Sequence, residues 1–428
     1  MSTKSYRIPF AIITSLFFLW GFITVLVDSL IPRLRDVFEL SYFQAGLVQF
    51  AFFLAYLFLS IPAGALLSRI GYQKGIVAGL ATMGLACLLF YPAAGERIFF
   101  LFMLGYFLLA GGITILQVAA NPYVAVLGDE HGASSRLNLA QAFNSLGTTL
   151  APIAGAALLL SDTIKSQVEI DALNEVDRQA YFITEAETVQ GPFLWLALAV
   201  GLLAVMFLFV KLPKIMSEKP HAGYGEVLKS KKVLLGALGI FVYVGVEVAI
   251  GSYLVNYFLD MELIEVIRKS KVMNAIADVF VVNDLNEIDG KAVVGSFLFL
   301  YWGGAMFGRF IGSYLTNIIR PAKVLAGFAI SAILLVLLTM STSGLVSMFA
   351  ALAIGFFNSI MFPTIFTLTL EGEGERKPEI SGVLCTAIFG GAIIPPLFGA
   401  LTDGLGFKLA FILPVLCYGY IWWFARRH

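Results

Sequence analysis

The stretch IPFAIITSLFFLWGFITVLVDSLI, residues 8–31, decides the fold. It is apolar over more than the roughly 20 residues that a helix needs to cross a bilayer. Asp28 is its only ionisable residue. An ionised Asp near the middle of a membrane helix costs about 2.5–3.5 kcal/mol on insertion scales. Such a residue faces a bundle interior or a watery cavity, and it marks an ion or substrate path. A second carboxylate, Glu247, interrupts a later apolar stretch of the same kind. Two acids inside a polytopic chain point to a machine that moves something.

The pattern around residues 8–31 recurs along the chain. Apolar stretches of spanning length lie near 8–32, 43–68, 75–94, 97–120, 137–160, 191–210, 233–258, 292–316, 323–341, 344–368, 380–402 and 406–425. The expected fold is therefore an all-α membrane protein of twelve transmembrane helices. Composition agrees: 59% of residues are hydrophobic, 13% are charged, and mean hydropathy is +0.88. Soluble domains carry roughly 25% charged residues. The net charge is zero, so no field favours nucleic acid. Cys87, Cys385 and Cys417 all fall in apolar stretches without metal or disulfide spacing, and they read as packing residues. The three histidines form no cluster, so no metal or cofactor is expected. No small-residue cleavage site follows the first apolar stretch, which reads as a retained helix rather than a signal peptide.

Charge outside the spans sets orientation. With the N-terminus in the cytoplasm, the inner segments hold 17 of the 28 Lys and Arg, and the outer loops hold 9. This bias places both termini inside. The chain divides at the lysine-rich segment 211–232, giving a six-helix half over 1–210, a cytoplasmic linker, and a second half over 233–428. Residues 161–190 read as an acidic outer loop. Residues 259–291 carry Ile264, Ile267, Val272 and Ile276 at helical spacing, which suggests a short helix on the outer surface or an ordinary ordered loop. The halves echo each other. Gln117 precedes Pro122 by five residues and Asn358 precedes Pro363 by five; PIAG at 152–155 matches PLFG at 396–399. Parallel six-helix repeats enclose a substrate site between halves at midplane. Gly304, Gly308 and Gly312, like Gly71, Gly75 and Gly79, have the spacing of close helix packing.

Polar residues fall on defined helical faces. Trp20, Thr24 and Asp28 share one face. Thr114, Gln117 and Asn121 share another, and Asn138, Gln141, Asn144 and Thr148 form a stripe. Tyr243, Glu247 and Gly251 align, as do Trp302 and Arg309, while Asn358 stands among apolar residues. Amides facing lipid would go unsatisfied, so these faces meet protein or water. Each alone could be an interhelical hydrogen bond worth about 0.6 kcal/mol. Together, beside two acids, they suggest a binding cavity. Amides present paired donors and acceptors, which suits a polyhydroxylated ligand, and Trp20 and Trp302 offer a sugar ring an apolar face or simply pack. Arg309 needs an acidic or carbonyl partner and reads as a gate latch.

GALLSRIGYQK at 64–74 resembles the loop motif between helices 2 and 3 of the major facilitator superfamily, with Ser68 where that motif carries an acid. Arg69 of this motif joins Arg309 as a candidate gating residue. A denser resemblance is to the L-fucose permease and glucose/galactose transporter branch. It rests on FFLWGF at 17–22, Asp28 with IP at 31–32, FQAGLVQFAFF at 43–53, QVAANPYVAVLG at 117–128 and RLNLAQAFNSLG at 136–147. It continues through YVGVEVAIGSYLVNY at 243–257 and GRFIGSYL at 308–315. The resemblance implies two six-helix halves, alternating access, and monosaccharide uptake coupled to an ion, usually a proton, in a bacterial inner membrane. It ties Asp28 to sugar and proton handling, and Gln141 and Asn144 to the helix 5 amides of the branch. The fucose permease has Glu where this chain has Gln117, and Gln where it has Glu247. The carboxylate has moved to helix 7, which looks more like the glucose/galactose transporters. The expected ligands are Asp28, Gln117, Asn121, Gln141, Asn144, Glu247, Asn358, Trp20 and Trp302, with Glu247 and Asp28 as ion-coupling groups in a monomer. Sodium coupling and other sugars (L-fucose, mannose, N-acetylglucosamine) remain open. A multidrug exporter, a sugar sensor and an enzyme fit less well.

Overall fold

The computed structural model describes residues 6–28, 42–159, 170, 172–213, 223–277 and 289–428. Among them every regular element is helical. Twelve long helices follow in order: α1 (Arg7–Asp28), α2 (Tyr42–Ile70), α3 (Tyr72–Gly95), α4 (Phe99–Val126), α5 (Ala133–Leu159), α6 (Glu175–Phe209), α7 (Lys231–Asp260), α8 (Leu298–Ile318), α9 (Pro321–Ser341), α10 (Gly344–Asn358, resumed over Met361–Leu370), α11 (Lys377–Thr386, resumed over Gly390–Leu405) and α12 (Ile412–Arg426). Eleven are long and apolar enough to cross a membrane; the twelfth, α5, carries the polar stripe. Prolines sit inside α2, α3, α4, α5, α6 and α11. Membrane helices tolerate them when neighbours satisfy the backbone groups they release.

Three boundaries differ from the sequence reading. Helix α6 begins at Glu175, inside the segment read as an outer loop. Asn174 caps it, its side chain accepting from the Asp177 amide at 2.9 Å, and Glu175 and Asp177 place negative charge in the first turn, as the helix dipole favours. Helix α10 is broken after Asn358. Between α7 and α8, two short helices (Leu263–Lys269 and Lys271–Ala277) occupy part of the segment read as either one short outer helix or an ordered loop, with Ile267 and Met273 buried.

The chain divides into two compact units. One comprises Met1–Glu130, Phe143–Val233 and Leu370–Thr386; the other comprises His131–Ala142, Leu234–Thr369 and Ala387–His428. In the first, α2 packs on α4, α3 on α4, and α3 on α6. In the second, α8 packs on α10, α9 on α10, and α9 on α12. The pairings repeat with an offset of six helices, so the echo in sequence is an echo in packing. The repeat extends to an exchange: the first turns of α5 belong with the second unit, and those of α11 with the first.

Each exchanged segment is fixed by small and hydroxylated residues. In the first unit, Gly382 of α11 lies against Gly64 and the Ser60 carbonyl of α2, and the Ser381 hydroxyl donates to the Val118 carbonyl of α4 at 2.8 Å. A short helix in the linker, Tyr224–Val227, adds Tyr224, whose hydroxyl donates to the Ile61 carbonyl at 2.6 Å. In the second unit, Ser134 shares a 2.6 Å hydrogen bond with Thr367, Ser135 one of 3.3 Å with Ser313, and the Asn138 amide reaches Thr364.

Candidate functional site

Glycine spacing builds the second unit's polar centre. Gly304, Gly308 and Gly312 of α8 lie against Phe356 of α10 and Ser359 and Ile360 at its break, and Gly355 of α10 lies against the Tyr301 carbonyl. Any side chain at Gly308 or Gly355 would meet backbone. The two helices are thus in near contact, as small-residue spacing allows.

Arg309 lies on this contact. Its Nε donates to the Ser359 carbonyl at 3.1 Å. In a continuous helix that carbonyl would accept from the amide of residue 363. That residue is Pro363, which has no N–H, so the acceptor is left for Arg309. The guanidinium also faces Glu247 of α7, with Nη2 3.7 Å from Oε1 and both side chains mostly buried. The sequence reading asked for an acidic or a carbonyl partner; Arg309 has both. Tyr243, one turn before Glu247, turns its buried hydroxyl toward both charges.

A chain of hydrogen bonds supports the pair. The Tyr418 hydroxyl donates to Asn358 Oδ1 at 2.7 Å, Asn358 Nδ2 donates to the Tyr301 hydroxyl at 2.8 Å, and that hydroxyl donates to the Glu247 backbone carbonyl at 3.2 Å. Asn358 is fully buried, with its amide engaged on both sides. Trp302 is half-exposed and lies over Gly251, edge-on to Tyr301 with ring centroids 5.0 Å apart. Tyr301 and Tyr418 escaped the sequence reading, because a tyrosine in an apolar helix carries no signal that separates support from packing.

In the first unit, Trp20 is buried against Phe17. Thr24 spends its hydroxyl on the Trp20 carbonyl. The half-buried Gln117 donates to the Tyr56 hydroxyl at 2.7 Å, and Asn144 donates to the Phe17 carbonyl of α1 at 2.9 Å. Asn121 is fully buried in α4. Gln141, also buried, belongs to the second unit. Arg69 is exposed at the end of α2. Asp28 closes α1, and its side chain lies outside the described residues. Among the described residues no group of His, Cys, Asp and Glu could hold a metal, and the three cysteines are free and buried.

Twelve helices in two similarly packed units, with a carboxylate–guanidinium pair inside one of them, define a multi-pass membrane protein of the transporter type. The chain belongs to the Major Facilitator Superfamily, whose family model matches residues 10–377. It is 46% identical to the glucose/galactose transporter of Brucella abortus, over 98% of this chain and 94% of that protein. It is 34% identical to the L-fucose-proton symporter of Escherichia coli, over 99% and 94%. Its fold matches the crystal structure of the transporter FucP in the outward conformation, with a TM-score of 0.87 at 33% identity over 99% of both chains.

Proposed function

We propose that this chain imports a monosaccharide, glucose or galactose, driven by an inward proton gradient through alternating access. The observation that carries the reading is the Glu247–Arg309 pair between α7 and α8, in a chain whose relatives are named for glucose/galactose transport and fucose–proton symport. Removing one partner of a buried ion pair costs about 3–5 kcal/mol when the other charge is left alone. A proton on Glu247 would leave Arg309 with the Ser359 carbonyl and with donors to spare. Sugar hydroxyls are acceptors of the right kind for those donors. Proton and sugar therefore favour one another's binding, and re-forming the pair on the inner side releases both.

Around this step, Asp28, Gln117, Asn121, Gln141 and Asn144 are assigned to the sugar, with Trp20 and Trp302 as ring faces. Asp28 shares in proton handling, and Arg69 and Arg309 take part in gating. The protein acts as a monomeric transporter rather than an enzyme, in the bacterial inner membrane with both termini cytoplasmic. Radiolabelled glucose and galactose uptake into proteoliposomes tests this. An inward proton gradient alone is expected to drive accumulation, and Glu247→Gln is expected to abolish accumulation while sparing sugar exchange. Accumulation that needs sodium, or full proton-driven accumulation by Glu247→Gln, overturns the assignment.

A further inference from the structure

We propose that Asn358 is a positioning residue for Glu247 and not a sugar ligand: through Tyr301 it holds the stretch of α7 that presents Glu247 to Arg309. The inference rests on the coupling role given to Glu247 above, and it concerns a residue placed by spacing among the candidate ligands.

The argument is one of hydrogen-bond direction. An amide offers a carbonyl acceptor on one side and an NH₂ donor on the other. Tyr418 and Tyr301 each have one proton to give. The Tyr301 hydroxyl lies 3.2 Å from the Glu247 carbonyl, which can only accept, so the Tyr301 proton is committed there. Its oxygen must then accept, and the group beside it is Asn358 Nδ2 at 2.8 Å. That fixes the amide with Oδ1 toward Tyr418, which donates at 2.7 Å. Reversing the amide would set the carbonyl against an oxygen with no proton left to give. One residue therefore orients two tyrosines and ties α12, α10, α8 and α7 in sequence. Tyr301, Asn358 and Tyr418 are all fully buried, so no ligand is needed to satisfy the amide.

The chain acts where the charged pair sits. Asn358 ends the first piece of α10, and the next residue supplies the carbonyl that holds Arg309. Arg309 is thus fixed to α10 directly, and Glu247 is fixed to it through Tyr301. Within this unit, among the described residues, the titratable groups that face Glu247 are Tyr243 of α7, Arg309 and Tyr301 of α8, and Tyr418 of α12. From helix α11, Gly390 and Ile394 lie against Gly245 of α7, and Gly390 against Phe241.

Thermal unfolding of the purified full chain, recorded from pH 5 to 9, tests this without a sugar. The difference between wild type and Glu247→Gln isolates what titration of Glu247 contributes. Tyr301→Phe keeps the ring and removes the hydroxyl. Positioning requires that Tyr301→Phe and Asn358→Ala each displace the Glu247-dependent part of the profile, and that the double variant displace it no further than either alone. A uniform loss of melting temperature at every pH makes the chain structural only and overturns the proposal. In proteoliposomes, Tyr301→Phe is expected to lower proton-driven accumulation roughly five-fold, the scale of one hydrogen bond, with exchange within two-fold of wild type. Weakened sugar binding in Asn358→Ala but not in Tyr301→Phe would make Asn358 a ligand and also overturn it. Should Glu247→Gln itself accumulate sugar on the proton gradient, the coupling reading fails, while the unfolding profiles still decide the positioning role.

Discussion

Gly382→Ala is the most direct probe of how the inner side closes. In the first unit a methyl group at Gly382 would lie 2.8 Å from the Ser60 carbonyl and 2.8 Å from the Tyr224 hydroxyl, and 3.4 Å from Gly64 Cα. The hydroxyl can swing away, but the backbone carbonyl cannot, so α11 must shift off α2. Overpacking of this kind costs about 1–3 kcal/mol. On the proposed orientation this contact is cytoplasmic; if it parts when the inner side opens, as alternating access at this seam requires, the cost falls on the inner-closed state alone. A cost near 2 kcal/mol moves the equilibrium between states by about 30-fold. Cys385, one turn along from Gly382 and fully buried, reports the change. With Cys87 and Cys417 replaced by Ala, maleimide applied to the cytoplasmic face should label Cys385 at least ten times faster in Gly382→Ala. Gly404→Ala, at the far end of the same helix with nothing within 4 Å, should label at the parent rate. Equal rates in Gly382→Ala and Gly404→Ala would refute the reasoning, because the seam would then not govern access.

Three further outcomes follow from the same geometry. Pro363→Ala restores an amide to compete for the Ser359 carbonyl; uptake should fall several-fold while melting temperature holds or rises, and a parallel fall in both would count against the freed carbonyl. Arg309→Lys keeps the charge but not the planar donor that reaches Ser359, and proton-driven accumulation should drop about ten-fold, on the scale of 1.4 kcal/mol; wild-type uptake by the Lys variant would dismiss that bond. The Tyr224 phenol is pushed above its ordinary value, chiefly by burial and then by the charge of Glu379. Its stabilising bond to Ile61 is thus fully present below about pH 10 and is lost only as pH rises beyond that. Tyr224→Phe should therefore quicken Cys385 labelling by an equal factor from pH 6 to 9, and a factor that changes across that range would contradict the assignment.

The helices and their number were legible because membrane spans announce themselves by length and hydropathy. The repeat was legible because prolines constrain backbone: Pro122 and Pro363 stand at the same five-residue spacing from Gln117 and Asn358. The roles of single amides were not. Asn358 and Asn144 look alike in sequence, yet one is closed off between two tyrosines and the other ties α5 to the Phe17 carbonyl. Spacing gives a residue's face but not its partner, and the partners here come from helices 57 and 60 residues away. The exchange of α5 and α11 between units was equally hidden, since it depends on hydroxyl contacts made across long separations.

The two prolines show how one repeat came to hold the charge. Pro122 releases the carbonyl of Val118, and Pro363 releases that of Ser359. Each freed carbonyl directly follows the polar residue of its repeat, Gln117 or Asn358. A buried carbonyl without a donor is costly, so each is met, but by different chemistry. In the first unit the donor is Ser381, an uncharged hydroxyl on the exchanged piece of α11. In the second it is Arg309, which brings a permanent charge and so calls for an acid nearby, supplied by Glu247 of α7. Gln117 needs no such counter-charge and is satisfied by Tyr56. The same backbone defect has therefore become a neutral seam in one half and the support of an ion pair in the other.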